Sequence, residues 1–138
     1  MIVMKASRFV ETSCTQLIPG SLQFDFAESL ERLGTRIAFD EIAQLFLSLA
    51  PDFMSQMRDA LDDGNSYKLE SAAHLLKGSA AVLSARDVVR TAEVLESMGR
   101  NRQSVGAESL FTELSRELHE LTQALRETLN TAHCNIPN

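Results

Sequence analysis

The segment Ala73-His74-Leu75-Leu76-Lys77-Gly78-Ser79-Ala80 sets one histidine among apolar and small residues. On a helix, successive side chains turn by about 100°. That rotation gathers Leu69, Ala72, Ala73, Leu76, Ala80 and Leu83 on one face, the stripe an amphipathic helix buries. His74 falls roughly 150° from the centre of that stripe, so its imidazole is expected to be exposed. Lys77, Gly78 and Ala81 share its side. Gly78 stands mid-helix on an outward surface, where glycine costs about 1 kcal/mol relative to alanine. A tolerated cost at such a place points to close approach by another molecule. Ala81 is also small, and the ring is left standing on a flat shelf. The residue four after Lys77 is Ala81, so Lys77 has no acidic partner there and reads as a free cation. One turn from the ring, it can offset the charge of an anionic group.

Working outward, the chain reads as helices joined by short loops. The few prolines and glycines fall mostly between apolar-periodic segments, and no run alternates as a strand does. Asp25 is a cap for a short helix through Leu33, with Gly34 as its stop. From Asp40, the residues Ile42, Phe46, Leu49, Phe53, Met57 and Leu61 form one stripe across Pro51. They read as one long helix bent at Pro51; the alternative is two helices, with Pro51 in the first turn of the second. Asp62-Asp63-Gly64 ends that segment, a solvated turn, and Asn65 or Ser66 caps the helix that carries His74. Ser84, with Asp87 three residues on, reads as a loose capping box for a fourth helix ending near Gly99.

On that fourth helix Val88, Ala92, Leu95 and Gly99 mark the inward stripe, and Glu96 lies at its edge. A carboxylate there is costly unless it finds a donor. An ordinary ion pair with Arg100, one turn on, would also account for it. The final helix is expected from Ala107 to Thr131, with Phe111, Leu114, Leu118, Leu121 and Leu125 as its seam. The expected fold class is all-α: an up-and-down antiparallel four-helix bundle with a short additional N-terminal helix. Residues 1–20 are read as an N-terminal segment, partly ordered or a short helix holding Phe9, Val10, Leu17 and Ile18. Residues 21–132 form the bundle, and 133–138 a loose tail.

Composition narrows the function. The chain has 138 residues, suited to one domain, and a formal net charge of −6. The acidic balance argues against a nucleic-acid partner, which needs a basic stripe. No apolar run approaches a membrane span, and Lys5, Arg8 and Glu11 interrupt any signal-peptide core. A cytoplasmic chain is expected, with Cys14 and Cys134 reduced and no zinc cluster. Met54 and Met57 read as core fillers. His119 and His133 lack the lysine and small-residue neighbourhood of His74.

The run His74-Leu75-Leu76-Lys77-Gly78-Ser79 resembles the signature of histidine-containing phosphotransfer (HPt) domains. The resemblance extends over most of residues 22–130 and takes in the Pro51 helix, the Asp62-Asp63-Gly64-Asn65 turn, Leu95-Glu96 and Arg100. Two departures stand out. Ser84 occupies a place where the family often has glycine, and Ala80 one where it often has a small polar residue. Ser84 is expected to cap well and to change little.

The resemblance implies a phosphoryl carrier of a two-component phosphorelay, with no ATP site of its own. His74 would accept the phosphoryl group through Nε2 from a receiver-domain aspartate and later pass it to another receiver. Lys77 would offset its charge, Gly78 would admit the receiver surface, and Arg100 would screen the phosphate. Glu96 would accept a hydrogen bond from Nδ1, fixing the tautomer. The domain would need no cofactor; Mg2+ is expected on the receiver. The implied partners are receiver domains of a hybrid sensor kinase and of a response regulator, each meeting a monomeric carrier. Leu75 and Val82 on the outer flank are candidates for a docking patch or, alternatively, for contact with the N-terminal segment.

Two other readings compete. The dimerisation helices of sensor kinases also bear a phosphorylated histidine, but their signature has an acidic residue after it and a proline shortly beyond. Here Leu75 follows His74, and the next proline is Pro137. The alternative that stays open is a helical-bundle interaction protein that binds signalling partners without phosphate chemistry.

Overall fold

The computed structural model describes residues 25–135, all helical apart from short connections. The helix expected within 1–20 lies outside the described residues. The elements are α1 (Phe26–Leu33), α2 (Arg36–Asp63), α3 (Ser66–Val82), α4 (Arg86–Arg100) and α5 (Ala107–Asn135). α3 packs most extensively on α4 and next on α2, while α5 packs on α4 and α2. His74 therefore sits on the helix with the most extensive packing.

Most boundaries follow local chemistry. The Asp25 carboxylate accepts from Glu28 N–H at the start of α1, and Gly34 closes it. Thr35 caps α2, which begins at Arg36 rather than Asp40. α2 continues unbroken through an exposed Pro51, which decides for one helix over two. Gly64 ends it in a left-handed conformation that glycine adopts at no steric cost. Asn65 caps α3 through Lys68 N–H. α5 runs to Asn135, past the expected end at Thr131.

The stripe on α2 is rotated from its expected centre. Phe46, Phe53 and Met57 are buried, but Ile42, Leu49 and Leu61 lie at the edge. Phe39, Ala43, Ala50 and Ala60 fill the middle. Alanines there let neighbouring helices approach, and the larger side chains wrap the flanks. On α5, Leu114, Leu118, Leu121 and Leu125 are buried as expected, and Phe111 is half-buried.

Ser84 does not cap α4. Ala85 occupies the cap position, without a side-chain hydrogen bond. Ser84 instead takes a positive φ of 55° just past the end of α3. Ala85 N–H bonds to the Ala80 carbonyl and Ser84 N–H to the Ala81 carbonyl, the paired bonds that close a helix on a left-handed residue. The Ser84 hydroxyl is buried with no partner. A glycine would suit this backbone better, because serine is strained at positive φ.

α1 seals the same end. Ser29 Oγ donates to the Leu83 carbonyl at 2.6 Å, Arg32 Nη1 to the Ala81 carbonyl at 2.8 Å, and Asp25 N–H to the Ser84 carbonyl at 3.2 Å. These bonds occupy carbonyls at and just beyond the end of α3. Phe26 meets Phe39 edge-on at 4.9 Å, and the Arg36 guanidinium lies over both rings.

Gly99 sets the spacing of α3 and α4. A Cβ there would lie 2.7 Å from Glu70 N and 2.8 Å from the Ser66 carbonyl oxygen. Both are backbone atoms, so the helices would have to separate. Two substitutions test these points in urea denaturation. Ser84→Gly should raise the unfolding free energy by about 1 kcal/mol. Gly99→Ala should lower it by about 1–3 kcal/mol.

Candidate functional site

His74 projects from the middle of α3 with its side chain 64% exposed. Its inner nitrogen is nonetheless engaged: Nδ1 lies 2.8 Å from Glu96 Oε2. Nε2 is the ring nitrogen left for chemistry. The pairing spans α3 and α4, and Gly99 permits it by bringing the two backbones together one turn from Glu96.

Glu96 is more deeply placed than its edge position suggested, with only 4% of its surface exposed. Three donors compensate the buried carboxylate. Lys77 Nζ meets Oε1 at 2.7 Å, while Arg100 Nη2 at 3.0 Å shares Oε2 with His74. The Lys77 ammonium, with a smaller contribution from His74, holds the carboxyl below its ordinary value despite the opposing push of burial. Lys77 is therefore not the free cation read from α3 alone. Its partner lies across the groove on α4, where an i+4 search along one helix cannot find it. The Glu96–Arg100 ion pair is present as well, so the two readings of Glu96 coexist.

Arg100 is also tied to α3, through Nε to Glu70 Oε2 at 3.2 Å. A chain of polar contacts thus runs Glu70, Arg100, Glu96, His74, with Lys77 joining at Glu96. Glu70 was not singled out from the sequence. Its partner is thirty positions away, and no spacing rule along one helix pairs them.

The surface around the ring is shallow and partly apolar. Tyr67, Glu70, Ser71, His74, Leu75 and Glu96 line an open groove of about 500 Å³. Tyr67 and Leu75 are exposed at 78% and 53%, while Val82 is half-buried. Tyr67 stands seven residues before His74 and hence on the same stripe, a signal the sequence held unread. Gly78 is exposed, and a Cβ there would meet nothing within 4 Å. The fold of this chain does not require glycine at that position. His119 is exposed on α5, outside this network. Among the described residues no group of histidine, cysteine and carboxylate side chains could hold a metal ion, and no helix is long and apolar enough to cross a membrane.

The family model of the Hpt domain matches residues 41–128. The chain belongs to the Hpt domain family. The match takes in α3 and α4 whole, and with them His74, Lys77, Gly78, Glu96 and Arg100. Comparison with curated proteins and with solved structures gave no match. Membership brings a histidine phosphotransfer role in phosphorelays, in which Hpt domains interact with receiver domains.

The depressed Glu96 carboxyl makes a stability prediction. Its folded value lies below its unfolded one, so the stabilisation is complete above the unfolded value of about 4.3. It is lost as pH falls through the folded value. In urea unfolding, the stability difference between the native chain and Glu96→Gln should shrink as pH falls below about 5, through the carboxylate range. A difference that grows over that range would mean the carboxyl binds its proton more tightly in the folded Hpt domain than in the unfolded chain.

Proposed function

We propose that the Hpt chain is a phosphoryl carrier that accepts on His74 Nε2 from the aspartyl phosphate of one receiver domain and donates to the aspartate of another. The observation that carries this reading is the pairing of an exposed ring with a buried acceptor. A carboxylate 2.8 Å from Nδ1 supports the tautomer with its proton on Nδ1 and the lone pair on Nε2, facing solvent.

In the forward step Nε2 attacks phosphorus. The bond to the aspartyl oxygen breaks, and its electron pair leaves with the aspartate. The ring becomes a phosphoimidazolium whose Nδ1–H is received by Glu96. In the second step the Nε2–P bond breaks, its electrons return to Nε2, and the second aspartate takes the phosphoryl group. Lys77, held against Glu96, is one turn from the ring and lends positive charge as the phosphoryl group arrives. Gly78 leaves open space for the receiver backbone. Tyr67 and Leu75 offer apolar contact beside the ring.

The receivers would belong to a hybrid sensor kinase and a response regulator, and would bring the Mg2+ and most of the transition-state stabilisation. The carrier itself would be a cytoplasmic monomer without a cofactor. The helix contacts, α3 on α2 and α4 and α5 on α4 and α2, support an up-and-down antiparallel arrangement of the four long helices.

The test is label transfer. The purified chain, incubated with a phosphorylated receiver, should acquire acid-labile, base-stable label, and His74→Gln should acquire none. Label surviving in His74→Gln would move the site elsewhere, with His119 first. A chain that binds receivers but never takes label would be an interaction protein without phosphate chemistry.

A further inference from the structure

Arg100 carries a positive charge near the ring, and the sequence suggested that it screens the phosphoryl group. Its geometry assigns it elsewhere. The guanidinium is held on two sides by carboxylates, Nε on Glu70 at 3.2 Å and Nη2 on Glu96 at 3.0 Å. Its contact on Glu96 is Oε2, the same oxygen that receives His74 Nδ1 at 2.8 Å. Lys77 takes the other oxygen, Oε1. Two donors on one oxygen compete for its electron density. Whatever Arg100 draws from Oε2 is lost to the imidazole.

We propose that Arg100, anchored by Glu70, is a positioning residue that acts through Glu96 to limit how strongly phosphorylated His74 holds its Nδ1 proton, and so sets the lifetime of the phosphohistidine. The proposal rests on the phosphotransfer reading of His74.

The chemistry follows from the leaving group. When the Nε2–P bond breaks, its electron pair returns to Nε2. If Nδ1 keeps its proton, the leaving group is neutral imidazole. If Nδ1 has lost it, the leaving group is an imidazolate, which departs far less readily. In hydrolysis, water supplies the oxygen that bonds to phosphorus and releases a proton as phosphate forms. A carboxylate at Nδ1 favours the protonated, labile ring. Glu96 holds the Nδ1 proton on the ring and Arg100 weakens that hold, so the two residues push the lifetime in opposite directions. Arg100 is about half exposed. A partly exposed charge contact is screened by solvent, so its loss should change the rate by roughly threefold.

The experiment uses the whole chain phosphorylated by phosphoramidate, a small donor that needs no receiver. Loss of label from His74, read in the peptide that carries it, is followed from pH 6 to 9 in the native chain, Arg100→Met, Glu96→Gln and the double variant. Arg100→Met should lose label about threefold faster on the alkaline side, its profile displaced to higher pH. Glu96→Gln should be displaced to lower pH. In the Glu96→Gln background, Arg100→Met should add no displacement. If it displaces the profile equally in both backgrounds, Arg100 acts directly on the phosphoryl group and the proposal is overturned. An unchanged profile in the single variant overturns it too.

The 15N shift of His74 Nδ1 in the unphosphorylated chain is a second readout that needs no label. Arg100→Met should change it only where Glu96 is present, and a change that persists without Glu96 overturns the proposal. Receiver transfer is scored separately: its failure alongside a displaced hydrolysis profile would sink the relay reading and leave the role of Arg100 standing.

Discussion

The structure turns on a carboxylate taken out of water beside a side chain left in it. Glu96 is almost wholly buried, while the imidazole it touches is mostly exposed. An unpaired buried carboxylate would be expensive. Lys77, His74 and Arg100 offset that cost by donating to its two oxygens. The contacts that satisfy the carboxylate are also the contacts that organise the ring. The arrangement demands close helices. Gly99 provides the closeness, since any side chain there would run into the backbone of α3.

The remaining elements keep one face of α3 free. α2 and α4 flank it, α1 seals its C-terminal end through Ser29 and Arg32, and α5 packs on α2 and α4. The stripe of Tyr67, His74, Leu75 and Gly78 is left open. Burial of the alanines and leucines on the opposite side holds α3 rigidly, which limits the motion of the ring to its own torsions. The result is a histidine held in place on an accessible surface. Here rigidity comes from the core and accessibility from small residues around the histidine.

Ser84 shows the reverse case, a residue that fits its place poorly. It has the side chain of a helix cap but the backbone of a helix stop, with its hydroxyl buried and unpartnered. The sequence invited the first interpretation because serine followed by Asp87 looks like a capping box. The cap of α4 falls one residue later than that pattern implies, on Ala85. Which residue takes the left-handed conformation depends on where α3 runs out of partners, and α1 decides that by bonding to its last carbonyls.

Much was legible in the order of residues. Helical periodicity separated the buried face of α3 from the side that bears His74, because a rotation of about 100° per residue is a property of the backbone alone. Capping by Asp25 and Asn65 and the stop at Gly64 were equally local. So was the resemblance carried by His74, Lys77 and Gly78. The tertiary structure decided what lies across a groove. Lys77 looked unpaired because its partner is on α4, and Glu70 gave no sign of holding Arg100. Glu96 looked peripheral because its depth depends on how closely two helices approach. Periodicity assigns a residue to a face of its own helix, whereas an ion pair between helices depends on their spacing and rotation. Those are fixed only when the whole core packs.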